Sequence, residues 1–330
     1  MKTIRWFRKE PIYTEENAPT PAMHASTVAL LPDGRLMAAW FGGEYEHHPD
    51  VRIFYAFREN GVWTKPQEVP GNKGVAHWNP VLFVNKKNEI LLFYKVGSNI
   101  EPWRTFITKS SDNGVTFSEP RELVPGDLGG RGPVKNPPIY LSDGTLLAPA
   151  SIETDDPFRW YCIMDRSMDD GETWEYVEVP EEDIIVDPQR NRKLGMIQPT
   201  LWESEPGHVH ALMRSNGGKI YRTDSEDCGK TFCTAYPTAE DNNNSGICLT
   251  KLDDGTLLLV SNPVPANWGV RTPLTVKISY DNGQTFEHLL TLENNPGEYS
   301  YPTIISKGNH CYLTYTYLRK HPVFAEFELQ

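Results

Sequence analysis

The stretch Ser110-Ser111-Asp112-Asn113-Gly114-Val115-Thr116-Phe117 decides the fold, because it recurs along the chain with the common form S-x-D-x-G-x-T-[WF]. The four copies occupy residues 110–117, 167–174, 225–232 and 279–286. The spacing is regular, and a repeat of roughly 50 residues is typical of the blades of a β-propeller. The sequence therefore predicts a radial arrangement of similar sheets.

The repeated stretch has the composition of a tight turn. Its Asp can accept hydrogen bonds from nearby backbone amides, and its Ser and Thr can form smaller bonds of the same kind. Its Gly adopts positive φ without strain, and its final aromatic residue can pack between sheets. We therefore expect a rigid hairpin turn in each copy, without a catalytic role.

Six segments share a second pattern, in which a small or polar residue leads into an apolar strand that ends at a turn. These segments begin at His24, Trp78, Lys135, Ile197, Asn244 and Tyr299. A strand near residues 324–329 and an N-terminal strand around residues 4–8 would complete the last sheet and leave no free edge between the chain ends. The sequence thus predicts an all-β, six-bladed β-propeller, one domain over residues 1–330, closed by its N-terminal strand.

Charge and cysteine content narrow the class of protein. The net charge of −12 argues against nucleic acid or an anionic membrane as the main partner. The five cysteines are odd in number and include no C-x-x-C pair, so we expect reduced thiols and no structural zinc. With no apolar leader and no long apolar run, we expect a soluble, cytoplasmic protein that needs no cofactor.

Residues at the six openings should meet at one mouth of the central channel, because the innermost strand of each blade begins there. The convergent set is His24, Asn79, Lys135, Asn136, Gln198, Asn244, Tyr299 and Tyr301. Amides, a lysine and aromatic rings suit a polar ligand rich in hydroxyl groups. The alternative for each amide is that it only caps the end of a strand.

With four such turns in a six-bladed pattern, the whole chain resembles the sialidase superfamily, and the repeated stretch resembles its Asp-box. The resemblance implies an arginine triad that holds a carboxylate, a tyrosine nucleophile ionised by a glutamate, and an aspartate as general acid and base. Arg214 and Arg271 precede the third and fourth boxes as two of those arginines do. Tyr299-Ser300 resembles the nucleophile motif, and Asp50 matches the acid/base position.

Two positions depart from the superfamily pattern. His24 stands where the first arginine is implied, and Gln198 stands where the activating glutamate is implied. Glutamine cannot take the phenol proton or supply a negative charge. We therefore expect a sialidase-like fold with a refitted pocket.

Several groups can still carry out chemistry there. Arg214 and Arg271 can form a bidentate clamp for the carboxylate of an acidic sugar. Tyr299 needs a helper, for which Arg271, Lys95 and Glu298 are candidates. Asp50 with His48 forms a candidate acid/base pair, and His24 is a third participant.

No metal site is predicted. His47 and His48, with Asp50 nearby, could suggest a metal, as could His208 with His210, but no further ligand is visible for either cluster.

Three functions remain open from sequence. The first is an exo-acting glycoside hydrolase that removes a terminal acidic sugar from an oligosaccharide. The second is a lyase that abstracts the proton next to a uronate carboxylate, with Tyr and His as base and acid. The third is a propeller that binds glycans without turnover.

Overall fold

The structure is a computed structural model that describes residues 2–71, 73–100, 103–155 and 158–330. It contains six antiparallel sheets arranged as the blades of a propeller. Most of their innermost strands contact the innermost strand of a neighbouring blade, and the predicted all-β, six-bladed fold is confirmed.

The first three blades occupy the N-terminal half of the chain, after strand β1 (Ile4–Pro11). Blade 1 contains β2 (Ala22–Leu30), β3 (Leu36–Gly43), β4 (Arg52–Glu59), β5 (Val62–Trp63) and β6 (Gln67–Glu68). Blade 2 contains β7 (His77–Val84), β8 (Ile90–Val96), β9 (Arg104–Ser110) and β10 (Arg121–Glu122). Blade 3 contains β11 (Ile139–Tyr140), β12 (Leu146–Asp155), β13 (Phe158–Ser167) and β14 (Glu175–Glu178).

A small hairpin of β15 (Ile185–Asp187) and β16 (Arg192–Lys193) precedes the remaining blades. Blade 4 contains β17 (Met196–Glu205), β18 (His208–Ser215), β19 (Lys219–Ser225) and β20 (Tyr236–Asp241). Blade 5 contains β21 (Cys248–Lys251), β22 (Leu257–Ser261), β23 (Leu274–Ser279) and β24 (Glu287–Glu293). Blade 6 contains β25 (Tyr299–Lys307), β26 (His310–Tyr317) and β27 (His321–Leu329).

Helical structure in the described residues is limited to one 3₁₀ turn, Glu15–Asn17. None of it is long or apolar enough to cross a membrane.

The N-terminal strand closes the ring, as predicted. Strand β1 pairs antiparallel with β27 over most of its length, from Ile4 opposite Leu329 to Pro11 opposite Val323. Blade 6 thereby gains its fourth strand from the other end of the chain. This pairing covers an edge that would otherwise expose unpaired backbone groups.

The apolar core is divided into six clusters, one between each pair of neighbouring blades. The cluster between blades 1 and 2 contains Met37 and Leu92, and the one between blades 5 and 6 contains Leu258 and Leu313. The inner strand of a blade therefore has apolar side chains on both of its faces, because each face packs against a neighbouring blade. This explains the dense apolar runs at the blade openings.

The Asp-box turns share one hydrogen-bond pattern. In the third copy, Asp227 Oδ1 accepts from Ser225 Oγ at 2.8 Å and from the Thr231 amide at 2.9 Å, while Thr231 Oγ1 donates to Oδ2 at 2.7 Å. These hydrogen bonds outweigh the effect of partial burial and lower the pKa of Asp227 to about 2. The boxes hold turns, as expected.

Three arginines fix Asp-box turns to the preceding blade. Arg35 donates to the carbonyl of Asn113 at 2.7 Å, and Arg166 donates to that of Cys228 at 3.1 Å. Arg222 repeats the contact with the carbonyl of Asn282 at 2.7 Å. Each arginine thus joins its own blade to the Asp-box turn of the next blade, and these contacts hold neighbouring blades together.

A bulge near the start of the inner strand recurs in four blades and decides which side chains face the channel mouth. The residues at the bulges have positive φ: Ala25 at 52°, Asn79 at 43°, Gln198 at 56° and Tyr301 at 53°. At each one the ladder to the second strand is interrupted. Positive φ is uncommon for residues with a Cβ. At these four equivalent positions it interrupts the regular alternation by which successive side chains of a strand point to opposite faces.

We predict that Asp227→Ala lowers the free energy of unfolding by about 1–3 kcal/mol, because the turn loses its acceptor and leaves partly buried donors unpaired. Urea denaturation monitored by tryptophan fluorescence measures the change. Asp253→Ala, at an exposed turn position without a side-chain hydrogen bond among the described residues, is the control. Equal stability of the two variants would contradict the prediction.

Candidate active site

Arg214 lies at the centre of the channel mouth, near the end of β18, and its residue is only 2% exposed. Its Nη1 donates to the Tyr301 hydroxyl at 2.7 Å and to Gln198 Oε1 at 3.2 Å, and its Nε donates to Asn244 Oδ1 at 3.0 Å. All three acceptors are neutral. The ion pairs found among the described residues do not include this guanidinium, whose hydrogen bonds go to neutral groups.

Three aromatic rings surround the Arg214 guanidinium. Its Cζ lies 5.7 Å from the ring centre of Tyr301, 5.8 Å from that of Trp160 and 6.0 Å from that of Trp268. Cation–π attraction offsets part of the cost of burying the charge. Trp268 is 58% exposed and meets Trp160 edge to face, which leaves an apolar surface beside the guanidinium.

Two further arginines lie next to this group and are paired with carboxylates. Arg271 Nη1 donates to Glu298 Oε1 at 2.7 Å and to Ser300 Oγ at 3.3 Å. Arg319 donates to the same Glu298 oxygen and to Glu46 Oε2, both at 2.6 Å. Although burial opposes it, the two guanidinium groups lower the pKa of Glu298. The charges of Arg271 and Arg319 are thus balanced by carboxylates, whereas the hydrogen bonds of Arg214 go to neutral groups.

His24 lies on β2 against Tyr301, with ring centres 4.1 Å apart. Burial, followed by the positive charges of Arg319, Arg271 and Arg214, lowers its pKa well below the ordinary value. Its Nδ1 contacts Thr316 Oγ1 at 2.9 Å, and its buried Nε2 has no hydrogen-bond partner among the residues described. The imidazole is therefore neutral and can exchange a proton through Nε2.

The tyrosine at the arginines is Tyr301, and Tyr299 lies elsewhere. Tyr299 is 2% exposed and belongs to the apolar cluster between blades 5 and 6, where its ring packs on Tyr317. The Tyr301 hydroxyl accepts from Arg214 and, at 3.4 Å, from Gln198 Nε2, and its ring lies 5.6 Å from the Arg271 Cζ. The placement supports Tyr301, rather than Tyr299, as the tyrosine that a ligand would meet.

Lys135 and Asn136 brace the channel. The Lys135 ammonium donates to the carbonyls of Ile247, at 2.9 Å, and Pro302, in blades 5 and 6. The Asn136 amide donates to the carbonyl of Gln198 at 3.1 Å and to that of the next residue. Burial lowers the pKa of Lys135 to about 8. Lys135 therefore joins blade 3 to blades 5 and 6 across the axis, and Asn136 joins it to the neighbouring blade 4.

Lys95, which we expected at the ligand, is buried in blade 2. Its ammonium donates to Thr105 Oγ1 at 2.7 Å and to the carbonyls of Gly130, Arg131 and Gly132 at 2.7–3.2 Å. Burial lowers its pKa to about 7. The contacts show a side chain that holds the loop of residues 129–132.

Asp50 and His48 lie on the blade 1 loop between β3 and β4. Asp50 Oδ1 is 2.7 Å from His48 Nδ1 and accepts from the Glu44 amide at 3.1 Å, and its side chain is half exposed. Its hydrogen bonds in the described structure stay within the loop. The loop itself reaches the site through Glu46, which pairs with Arg319.

The remaining predicted positions lie at the mouth. Asn79 occupies the bulge of blade 2 that corresponds to Gln198 and Tyr301. Asn244 links Arg214 to Asn267, whose Oδ1 accepts from Asn244 Nδ2 at 2.8 Å. The mouth thus brings together Arg214, Arg271, Gln198, Asn244, Tyr301 and His24.

Sequence reasoning missed Arg319, Trp160 and Trp268. No motif marks them, because they lie in blade 3 and in loops of blades 5 and 6 and reach the site only through the tertiary fold. For Tyr301 a signal existed: Asn79, Gln198 and Tyr301 each precede a proline at the same point of their strands. No group of three or more potential metal ligands occurs within the described ranges.

Six radial sheets, Asp-box turns and an arginine-lined mouth define a sialidase-like propeller of the BNR type. The chain belongs to the family of the BNR repeat-like domain, whose model matches residues 34–314.

Solved structures share this fold at low sequence identity. A Dyadobacter fermentans protein of unknown function is 16% identical with a TM-score of 0.77, and the match covers 99% of this chain and all of that one. A Trypanosoma rangeli sialidase in complex with the inhibitor DANA is 15% identical, with a TM-score of 0.75 and coverage of 98% and 60%. A mutant of the NanB sialidase from Streptococcus pneumoniae is 12% identical, with a TM-score of 0.70 and coverage of 94% and 68%.

The chain therefore spans about 60% of the length of the trypanosomal sialidase. No curated protein sequence matches it. The structural likeness shows the fold, whereas an activity depends on the residues at the mouth.

We predict that His24 makes stability depend on pH. Because its pKa is lowered in the folded state, the unfolded chain takes up a proton that the folded protein does not, so the free energy of unfolding falls as the pH drops from about 7 to 5. His24→Gln should weaken this dependence in urea denaturation series. The exposed His288→Gln is the control, and an unchanged slope for His24→Gln would contradict the prediction.

Proposed function

We propose that the protein is an exo-acting glycoside hydrolase that removes a terminal acidic sugar from an oligosaccharide. One observation carries the proposal: a buried guanidinium, that of Arg214, lacks a carboxylate partner within the described residues and donates to a tyrosine hydroxyl 2.7 Å away. The sialidases among the structural neighbours support a glycan as the partner.

The ligand carboxylate binds at Arg214. A buried charge without a partner is costly, and an anionic ligand supplies the missing charge and hydrogen bonds. Arg271 and Arg319 are already neutralised by Glu298 and Glu46, so they contribute to the positive potential while holding the mouth together. The ligand thus pairs with the one arginine of the mouth whose bonds all go to neutral acceptors.

Tyr301 is the nucleophile in this proposal. Arg214 and Gln198 both donate to its oxygen and stabilise negative charge there when the phenol loses its proton. Gln198 cannot accept that proton, so His24, whose ring lies 4.1 Å from that of Tyr301, is the proposed acceptor; it becomes a stronger base when an anionic ligand offsets the positive charges that lower its pKa. Asp50, on the loop whose Glu46 pairs with Arg319, is the proposed acid/base residue.

The aromatic pair Trp160 and Trp268 provides the apolar part of the site. Sugar rings present C–H faces that pack on exposed aromatic rings, and Trp268 is available for this contact. The ligand would have its carboxylate at Arg214 and a ring face toward the tryptophans.

A second candidate is a lyase that acts on a uronic acid. The glutamine at position 198 and the neutral imidazole of His24 favour it, because elimination needs no carboxylate beside the tyrosine. Arg214 would neutralise the uronate carboxylate, and Tyr301 and His24 would serve as base and acid. Binding without turnover would point instead to a glycan-binding propeller.

We predict that Tyr301→Phe lowers kcat by at least about 100-fold on any acidic glycan that the protein cleaves, because the reacting oxygen is lost. Tyr299→Phe is the matched control: it removes the same hydroxyl from the core between blades 5 and 6 and should leave kcat nearly unchanged. A screen of terminal acidic sugars with released sugar as the readout measures both. A larger loss in Tyr299→Phe would reverse the assignment.

Arg214→Met should weaken binding of an acidic sugar by about 2 kcal/mol or more, because the ligand carboxylate loses its charged partner. Isothermal titration with an acidic sugar and with its neutral amide measures the effect, and only the acidic sugar should lose affinity. Arg104→Met, on the exposed edge of blade 2, is the control. Equal losses for both ligands would contradict a carboxylate site.

The reaction products distinguish a hydrolase from a lyase. Hydrolysis releases a saturated acidic sugar and incorporates oxygen from labelled water, whereas elimination yields an unsaturated uronate that absorbs in the ultraviolet. We expect label in the product and no new absorbance. The opposite pattern would establish the lyase.

A further inference from the structure

A serine, a histidine and an aspartate form a hydrogen-bonded chain on blade 4, where it faces blade 5. Ser204 Oγ lies 2.7 Å from His210 Nε2, and His210 Nδ1 lies 2.5 Å from Asp224 Oδ1. The three residues come from β17, β18 and β19, and none belongs to the group at the channel mouth. A nucleophile, a base and a group that orients the base are thus in order and in reach.

Asp224, which accepts the hydrogen bond from His210, sets the tautomer of this histidine. Although burial opposes it, hydrogen bonds from His210, Tyr236 and Arg222 lower the pKa of Asp224 to about 2, so this group is a carboxylate. A carboxylate at Nδ1 keeps the proton on that nitrogen. The lone pair of Nε2 then points to the Ser204 hydroxyl, which donates to it.

The imidazole is held rigidly. It stacks on Trp202 with ring centres 5.0 Å apart, and Arg222 Nη2 lies 3.1 Å from its Nδ1. Asn282 Nδ2 lies 3.1 Å from Nε2, so this amide and the Ser204 hydroxyl compete for the one lone pair of that nitrogen. A fixed base costs no reorientation when it accepts a proton.

Ser204 is reachable from solvent. It is the extra residue of a bulge between Glu203 and Glu205 and is half-buried. It lines a cavity of about 700 Å³. Lys251 lines the same cavity, and its ammonium donates to the carbonyl of Glu203 at 2.6 Å, which places a positive charge beside the serine.

We propose that Ser204, His210 and Asp224 form a second reactive site that hydrolyses carboxylic esters, with Ser204 as the nucleophile. This site is separate from the one at the channel mouth and does not depend on the function proposed there.

The reaction balances with these groups and water alone. Ser204 Oγ bonds to the acyl carbon while its proton passes to His210 Nε2, and the ester C–O bond then breaks as the leaving alcohol takes that proton. Water next bonds to the acyl carbon and gives a proton to Nε2. The Oγ–acyl bond breaks, the carboxylic acid leaves, and Ser204 regains its proton.

The test uses p-nitrophenyl acetate as substrate and a fluorophosphonate as covalent label on the full chain. We expect hydrolysis above the rate of free imidazole, labelling that peptide mass spectrometry assigns to Ser204, and a loss of at least about 100-fold in Ser204→Ala. Asp224→Asn should cause a similar loss. Ser306→Ala, a serine whose Oγ contacts Thr250 at 3.0 Å, is the control and should keep the full rate.

Unlabelled Ser204, or an unchanged rate in Ser204→Ala, would overturn the proposal and show that the chain of bonds only joins blades 4 and 5. Thermal unfolding of each variant is measured alongside. Because Ser204 is a half-exposed bulge residue, we expect Ser204→Ala to retain the wild-type midpoint, which ties a lost rate to chemistry.

Discussion

The pairing of β1 with β27 is the constraint on which the rest of the molecule depends. Each apolar cluster lies between two blades, so every blade needs a neighbour on both sides, and the ring has to close. Closure by strands from opposite chain ends converts a linear repeat into a rigid ring. Only in that ring do the six blade openings face one another, so the site at the mouth is a product of closure.

Charge distribution at the mouth follows a simple division. Arg271 and Arg319 share Glu298 and so build a neutralised support, while Arg214 is held by neutral oxygens and aromatic rings. The same arrangement keeps His24 neutral, since burial and the positive charges of the neighbouring arginines lower its pKa. A site of this kind attracts an anion and offers an uncharged proton acceptor beside it, which is the combination that acid/base chemistry on an acidic sugar needs.

Much of the fold could be predicted from sequence, because the Asp-box turn is a local structure: its hydrogen bonds join residues within five positions of one another. The blade count and the closing strand follow from the same periodicity. Much of the site could be predicted too, since Arg214, Arg271, Gln198 and Asn244 lie at repeat positions. Lys95 occupies a comparable position in blade 2, yet a loop from residues 129–132 covers it, and no repeat encodes that loop.

By itself the sequence determined six blades, their turns and the strand that closes them, because these features depend on short-range hydrogen bonding and on the period of apolar residues. Tertiary structure alone decided which tyrosine meets Arg214. In a regular strand Tyr299 and Tyr301 would share a face, but the bulge that begins at Tyr301, where φ is positive, turns only the second ring toward the arginines. The tertiary structure also brings Arg319 of blade 6 close to His24 of blade 1, because ring closure makes residues far apart in sequence adjacent in space.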